Sequence, residues 1–264
     1  MAKLRYAEDD IVFDKVEGQV FVQIEQDMLF SIDQIKELIV LNSDANKQRA
    51  IRCDEGILSV YCRSSTCRKK RDYNSQYQSI VWVYIERNTP SEWSEAMKEA
   101  IEEWNKISNG LQFFYAENCT TGDRRYNRGV YMTFENRLDK RNIIARAILG
   151  SQSNFKRLLI NRSYHDFNEL THNRRVFALA HELGHTIGYT HIENNSSGDC
   201  FIEGTEVNDK NSLMRTDIGT GRVDRNNLFT SSDSRAHLTL YPHKSSNYFK
   251  YKANYKGIRN SRCN

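Results

Sequence analysis

The residues most able to do chemistry in this chain are consecutive: His181-Glu182-Leu183-Gly184-His185-Thr186-Ile187-Gly188-Tyr189-Thr190-His191. Two histidines four apart on a helix share one face, about 6 Å apart along the axis, so both imidazoles reach a single metal ion. Glu182 lies one step off that position, placed to handle the proton of a water rather than the ion. Gly188 adopts positive φ without steric cost, and a turn there would end the helix and return His191 as a third ligand. Three neutral imidazoles leave one position of a tetrahedral zinc ion open, as in a catalytic rather than a structural centre. A buried helix with incidental histidines would explain Val176, Leu179, Leu183 and Ile187. It would leave His181, Glu182 and His185 on another side with no packing role.

The elements that must position this motif are legible upstream and downstream of it. Ile80-Val81-Trp82-Val83-Tyr84-Ile85 is a strand-like run. Thr89-Pro90-Ser91-Glu92 then supplies an expected N-cap, a proline at the first helical position and a capping-box glutamate. The helix it opens carries Trp93, Ala96, Met97, Ala100, Ile101, Trp104 and Ile107 on one wide apolar stripe, which predicts tryptophans in the core. Further strands are expected over Leu111–Tyr115, Val130–Phe134, Ala145–Leu149 and Lys156–Ile160. The histidine helix follows over Thr171–Ile187, with a short helix over Ser232–Leu240 that Pro242 ends. Strand, helix, several strands and a metal-binding helix predict an α+β layer on an open twisted sheet.

The long motif resembles the metzincin zinc endopeptidases, whose pattern continues into a downstream Met-turn. Asn211-Ser212-Leu213-Met214-Arg215-Thr216 is similar to that turn, and Met214 would then be a hydrophobic floor beneath the metal rather than a ligand. Within that group the chain is most similar to the bacterial HEIGH-type metallopeptidases. The matching pieces are His181–His185, Ile202-Glu203-Gly204-Thr205, Ser212-Leu213-Met214, and Phe229 through Asp233 to Leu240-Tyr241-Pro242. The similarity spans residues 175–242, and more loosely the strand and helix from Ile80 to Gly110. Leu183 stands where the HEIGH name has isoleucine, no Arg or Asp run of astacin type follows His191, and no tyrosine follows Met214.

The resemblance implies a metzincin-like catalytic domain: a twisted mixed sheet, an active-site helix, a Met-turn and a small C-terminal subdomain. It implies one catalytic Zn2+ on His181, His185 and His191, with Glu182 as general base and then general acid in peptide hydrolysis. A protein or peptide substrate would lie extended along an edge strand, for which Lys156–Ile160, just upstream of the histidine helix, is the expected element. Arg215, Thr216 and Asp217 would wall the primed side of the cleft, and an inward-facing Arg215 would favour acidic side chains.

Residues 1–75 differ from residues 76–264, the expected zinc peptidase domain, and form an N-terminal extension or a prosegment. Apolar alternation at Ile11-Val12-Phe13 and Val20–Ile24 is followed by a helical pattern through Ile32, Ile35, Leu38 and Ile39, and then by a polar stretch from Arg63 to Ser79. Arg52-Cys53-Asp54-Glu55-Gly56 loosely resembles a cysteine switch, in which the Cys53 thiolate would take the open zinc position; a disulfide or a buried thiol is the competing reading. Two alternatives to an active endopeptidase follow: a latent zymogen blocked by the N-terminal segment, and a non-catalytic zinc-containing binding module. Glu182 argues against the second, because a structural site has no use for an acid there.

Composition excludes other classes. A net charge of +4 and scattered basic clusters, with no recognisable nucleic-acid module, argue against a nucleic-acid partner. A mean hydropathy of −0.71 without a long apolar run argues against a membrane span. The first ten residues have no apolar stretch of signal-peptide type, so the chain is either cytosolic or has lost such a segment. Cys53, Cys62, Cys67, Cys119, Cys200 and Cys263 are an even set that favours disulfides, and with them a secreted, cell-surface or periplasmic setting. The sequence does not fix an oligomeric state. His165, His172, His237 and His243 lack ligand spacing and are expected on the surface or in local hydrogen bonds. Asp199, Glu203, Glu206 and Asp209 offer the ligand type for Ca2+ but not the spacing of a calcium loop, so solvated acids are expected there.

Overall fold

The computed structural model describes residues 12–16, 19–24, 27–33, 35–36, 80–108, 110–120, 129–136, 142–149, 156–193, 202, 204–206, 209–216, 227–241 and 260–262. The strands are β1 (Val12–Val16), β2 (Gln19–Ile24), β3 (Met28–Ser31), β4 (Ile80–Glu86), β5 (Gln112–Cys119), β6 (Val130–Glu135), β7 (Ala145–Leu149), β8 (Lys156–Asn161) and β9 (Asn260–Arg262). The longer helices are α1 (Ser91–Ile107), α2 (His172–Ile187) and α3 (Ser231–Leu240). The described strands join one mixed sheet in the order β1-β2-β3-β7-β8-β6-β4-β5-β9. The architecture is α+β.

The order follows from which runs must be covered. β4 is a near-continuous apolar run, and it pairs in parallel with β6, and β6 with β8, at the middle of the sheet, where the apolar part of β8 is Leu158–Ile160. One face carries α1 and α2, which pack on each other, with α1 also against β5 and α2 against β7 and β8. Between sheet and helices lies the main core, including Val83, Ile85, Trp93, Met97, Trp104, Val130, Met132, Leu158, Ile160, Leu179 and Leu183. Trp93 stacks on Phe167 at 5.5 Å and is fully buried, as the apolar stripe of α1 predicts.

Helix α1 begins differently from expectation. Pro90 itself takes the N-cap position, with φ −55° and ψ 141°, and no side chain caps the helix. The capping box belongs instead to α3, where Thr230 and Asp233 satisfy each other's backbone N–H groups. Thr171 caps α2 by accepting from Arg174 N at 3.3 Å.

Lys156–Ile160 is not an edge. β8 is interior, parallel to β6 on one side and antiparallel to β7 on the other. The strand beyond it is β7, and β7 is covered by β3 running parallel, in the register Met28↔Ala147, Leu29↔Ile148, Phe30↔Leu149. The outer strands of the sheet are β1 and β9, so β7 is interior as well, and β7 would become the rim only without β1–β3; neighbouring apolar runs carry no sequence signal for which lies outermost. The N-terminal meander β1-β2-β3 continues the same sheet, with Phe21 and Leu29 packed on Ile148 and Leu159. Its outer hairpin is poorly covered, Phe13 being 62% exposed. Residues 32, 33, 35 and 36 are helical. The boundary drawn at residue 75 lies outside the described residues, as do Cys53, Asp217, Asp199, Glu203 and His243.

Candidate metal centre and its surroundings

Helix α2 is the second layer over the sheet, so its inner residues are set by packing before any chemistry. Trp104 of α1 donates its indole N–H to the Ala180 carbonyl at 2.9 Å, pinning α2 one residue before His181. Gly184 faces Met214 so closely that a Cβ there would lie 2.5 Å from the methionine sulfur. A glycine is therefore what lets Met214, buried in the core, approach under the helix. Gly188 ends the helix at φ 109°, with its N–H bonded to His185 O at 3.0 Å and Tyr189 N bonded to Gly184 O at 3.1 Å. That pair of bonds is a Schellman closure, and the left-handed residue it requires turns the chain toward His191.

The three imidazoles converge. His185 Nε2 lies 3.0 Å from His181 Nε2, which lies 3.2 Å from His191 Nε2. The other nitrogens are tied back: His181 Nδ1 donates to the Leu213 carbonyl at 2.8 Å and His185 Nδ1 to the Tyr189 carbonyl at 2.8 Å. With the protons on Nδ1, both Nε2 atoms present lone pairs to each other, which is repulsive unless a cation sits between them. Four donors around zinc at 2.0–2.1 Å stand about 3.3 Å apart, close to the spacings observed. The donor set fits a zinc ion. All three rings are buried, and burial lowers the His185 pKa against the opposing charge of Asp27, favouring the neutral imidazole a metal requires.

A fourth donor comes from the far end of the chain. Asp27, at the start of β3, places Oδ2 at 3.2 Å from Nε2 of both His181 and His191, and Oδ1 at 3.6 Å from Nε2 of His185. Asp27, His181, His185 and His191 are the group among the described residues able to hold a metal ion together. Burial would raise the Asp27 carboxyl, but His191, His185 and His181 outweigh it and hold the group well below the ordinary carboxylate range. Cys53, the expected occupant of the fourth position, lies outside the described residues; among those described, the Asp27 carboxylate stands against the histidines.

Glu182 is buried beside them, and its Oε2 has no hydrogen-bond partner. Burial raises its pKa well above the ordinary value and the charge of Asp27 raises it further, against the opposing effects of His191, Arg146 and the Ala147 N–H. A buried carboxyl with one oxygen unpartnered among the described residues and a raised pKa is suited to accept and return a proton.

Behind the histidines, the turn bearing Met214 is held by α3. Asp233 accepts from Ser212 Oγ at 2.6 Å, Leu213 N at 3.0 Å and Thr230 N at 3.0 Å. Leu213 is the residue whose carbonyl orients His181, so the carboxylate of Asp233 acts on the site through one peptide unit. Ile192 N bonds to Met214 O at 2.9 Å and closes the other side.

The remaining expected residues fall as follows. Arg215 Nε pairs with Glu193 Oε1 at 2.8 Å, and Thr216 N donates to the same carboxylate at 3.3 Å, so Arg215 is engaged within its own loop. Lys156 sends its ammonium to the Thr186 carbonyl at the end of α2, and burial lowers its pKa to about 8. His237 is buried and its Nδ1 meets the Tyr189 hydroxyl at 3.0 Å, while His172 and His165 pair with Glu99 and Asp166 at the surface. Asp209 is occupied by Asn211 N at 2.9 Å and by the Thr230 hydroxyl. Sequence reasoning missed Asp27, Arg146 and the function of Asp233. Of these only Arg146 left a signal, as a charge inside the strand run Ala145-Arg146-Ala147-Ile148-Leu149.

Three solved structures illustrate what the fold is similar to. Two are of myroilysin: one at 16% identity and TM-score 0.42, covering 62% of this chain and 84% of that one, the other at 15% and 0.45, covering 72% and 90%. The third is high choriolytic enzyme 1, a hatching enzyme zinc-protease from the medaka fish Oryzias latipes, at 15% identity and TM-score 0.45, covering 70% of this chain and all of that one. No protein-family model matches this sequence, and comparison with curated protein sequences finds no match.

Proposed function

We propose that the chain is a zinc-dependent endopeptidase in which His181, His185 and His191 hold the ion and Glu182 moves the proton. The observation that carries this reading is the cluster of Nε2 atoms at 3.0–3.2 Å, with the Nδ1 protons of His181 and His185 committed to carbonyls. When bound there, zinc supplies Lewis acidity, polarising a carbonyl and lowering the pKa of a water it touches toward about 7. Glu182 takes a proton from the attacking water and returns it to the leaving amine, and burial keeps its carboxyl from binding solvent instead. β7 presents its backbone to an extended peptide. Met214 and the Asp233 network keep His181 aimed.

A specific observation supports a second element of the proposal, latency. Asp27 stands where a fourth ligand belongs, and β3 lies along the edge of β7 that a substrate would use. Residues through Ser31 thereby block both the ion and the strand, and the form described is a zymogen that becomes active when β3 leaves. On this reading the blocking group among the described residues is the Asp27 carboxylate. Cys119 is disulfide-bonded, a linkage that persists in oxidising compartments, and we place the protein outside the cytosol. No described helix is long and apolar enough to cross a membrane.

The test is cleavage of a quenched peptide library by the zinc-loaded chain, before and after limited proteolysis, with Glu182→Ala as control. Wild type should cleave after proteolysis, and the variant should bind zinc yet lose about 100-fold or more of the rate. Retained cleavage by Glu182→Ala would sink the assignment.

A further inference from the structure

Arg146 is fully buried on β7, directly before the residue whose N–H bonds to Asp27 O at 3.2 Å. Its neighbours along the strand, Ala145 and Ala147, point toward α2 and the main core. Arg146 shares the opposite face with Ile148, which packs with Phe21, Leu29 and Leu159. From there its guanidinium reaches beneath the N-terminal strands to β1, where Nη1 pairs with Asp14 Oδ2. Nε and Nη2 are buried with no hydrogen-bond partner among the described residues. A guanidinium presents five N–H donors in a fork made for a carboxylate, and a fork that meets its acid through one nitrogen is only partly satisfied. The acid that touches it belongs to the N-terminal strands, which the reading above removes on activation.

We propose that Arg146 is a specificity-determining residue, selecting peptides with an acidic side chain on the face of the added strand turned away from α2, and that Asp14 stands in for that side chain in the latent form. The inference rests on the endopeptidase reading and on β7 as the substrate edge. β7 at Ala147 is level with the metal centre, so Arg146 emerges about one residue, about 3.3 Å, along the strand from the reacting position. A peptide added in place of β3 turns alternate side chains toward Arg146, and an aspartate or glutamate among them can engage both free nitrogens. Arg215, by contrast, is already paired with Glu193 on the part of the chain that stays, whereas the partner of Arg146 departs with the N-terminal strands.

The test uses the full chain, zinc-loaded and activated by limited proteolysis, on peptide pairs that differ only by glutamate or glutamine at each position near the cleaved bond. Wild type should prefer glutamate at one position by about tenfold or more in kcat/KM, the scale of a charge-assisted pair. Arg146→Ala should bring that ratio close to one. Arg146→Glu should invert it in favour of a lysine peptide, and Arg146→Lys, which keeps the charge through folding, should leave an intermediate ratio. A wild type that cleaves but shows no acidic preference, or variants that keep it, would overturn the role of Arg146 and leave the peptidase reading standing. Failure of activated wild type to cleave any peptide would overturn that reading and this inference with it.

Discussion

Two regions meet at the metal centre and are held there by opposite means. The His181–His191 segment is fixed from behind by permanent structure: an indole bond to Ala180, a Schellman turn at Gly188, carbonyls on His181 and His185, and the carboxylate of Asp233 beneath the turn. The N-terminal strands are fixed from the front by two carboxylates, Asp27 and Asp14, one short parallel ladder and a small apolar cluster. On the proposed reading, the difference separates a framework from a plug. Residues that aim the histidines belong to the core and cannot leave without unfolding. Residues that block them are joined mostly by contacts that a cleavage or a charge change can undo.

The largest effect should come from exchanging one donor on each side. His185→Ala should remove zinc, measured by metal content after dialysis, together with all peptidase activity. Asp27→Ala should keep zinc and open its fourth position, read as tighter binding of a small hydroxamate by the unprocessed chain, while peptide cleavage still waits on removal of β3. If Asp27→Ala loses the metal as His185→Ala does, the distinction between framework and plug breaks down.

Within the framework, Asp233→Ala strands Ser212 Oγ and the N–H groups of Leu213 and Thr230. It should cost about 3 kcal/mol or more in urea unfolding, from buried donors left without acceptors. Zinc affinity should fall with it, since Leu213 orients His181.

Acid should act on the framework through a residue far from the plug. Burial lowers the His237 pKa from 6.5 to about 3. The unfolded chain therefore takes this proton first. The contribution is complete above about pH 6.5 and is lost as pH falls toward 3, roughly 2 kcal/mol by about pH 5. His237→Asn should flatten the difference in unfolding free energy between those two conditions, and an unchanged slope would assign it to other groups. The smallest effect is expected at the entrance of α2, where Thr171→Ala should lower stability by about 1 kcal/mol through loss of the cap and leave zinc affinity unchanged.

Much of the framework was legible because its signals are local. The spacing His181–His185–His191 with Gly188, the stripe from Trp93 to Ile107, and the runs over β4 and β6 to β8 each lie within one element, and the elements appear within a few residues of where periodicity sets them. The proline before α1 misled on the cap, since Thr89-Pro90 matches a common start that this helix does not use. The plug was illegible because it is made by topology. Asp27 stands 154 residues from His181, and only the pairing of β3 with β7 brings it there. Nor does any run of residues state that β7 and the N-terminal strands lie beyond β8, which is why the edge was misplaced.

The pairing of β3 with β7 also bears on handling the protein. While β3 is in place, the outward N–H and C=O groups of β7 are spent within one chain, and the sheet ends in the β1-β2 hairpin. Removing β3 leaves a raw strand edge beside an apolar surface formed by Ile148 and Leu159, and such an edge accepts any extended backbone, including that of another copy. Under the latency proposed above, processing would turn a self-contained sheet into one that must stay dilute or occupied, so the unprocessed chain would be the form to store and a bound peptide the means of concentrating the other.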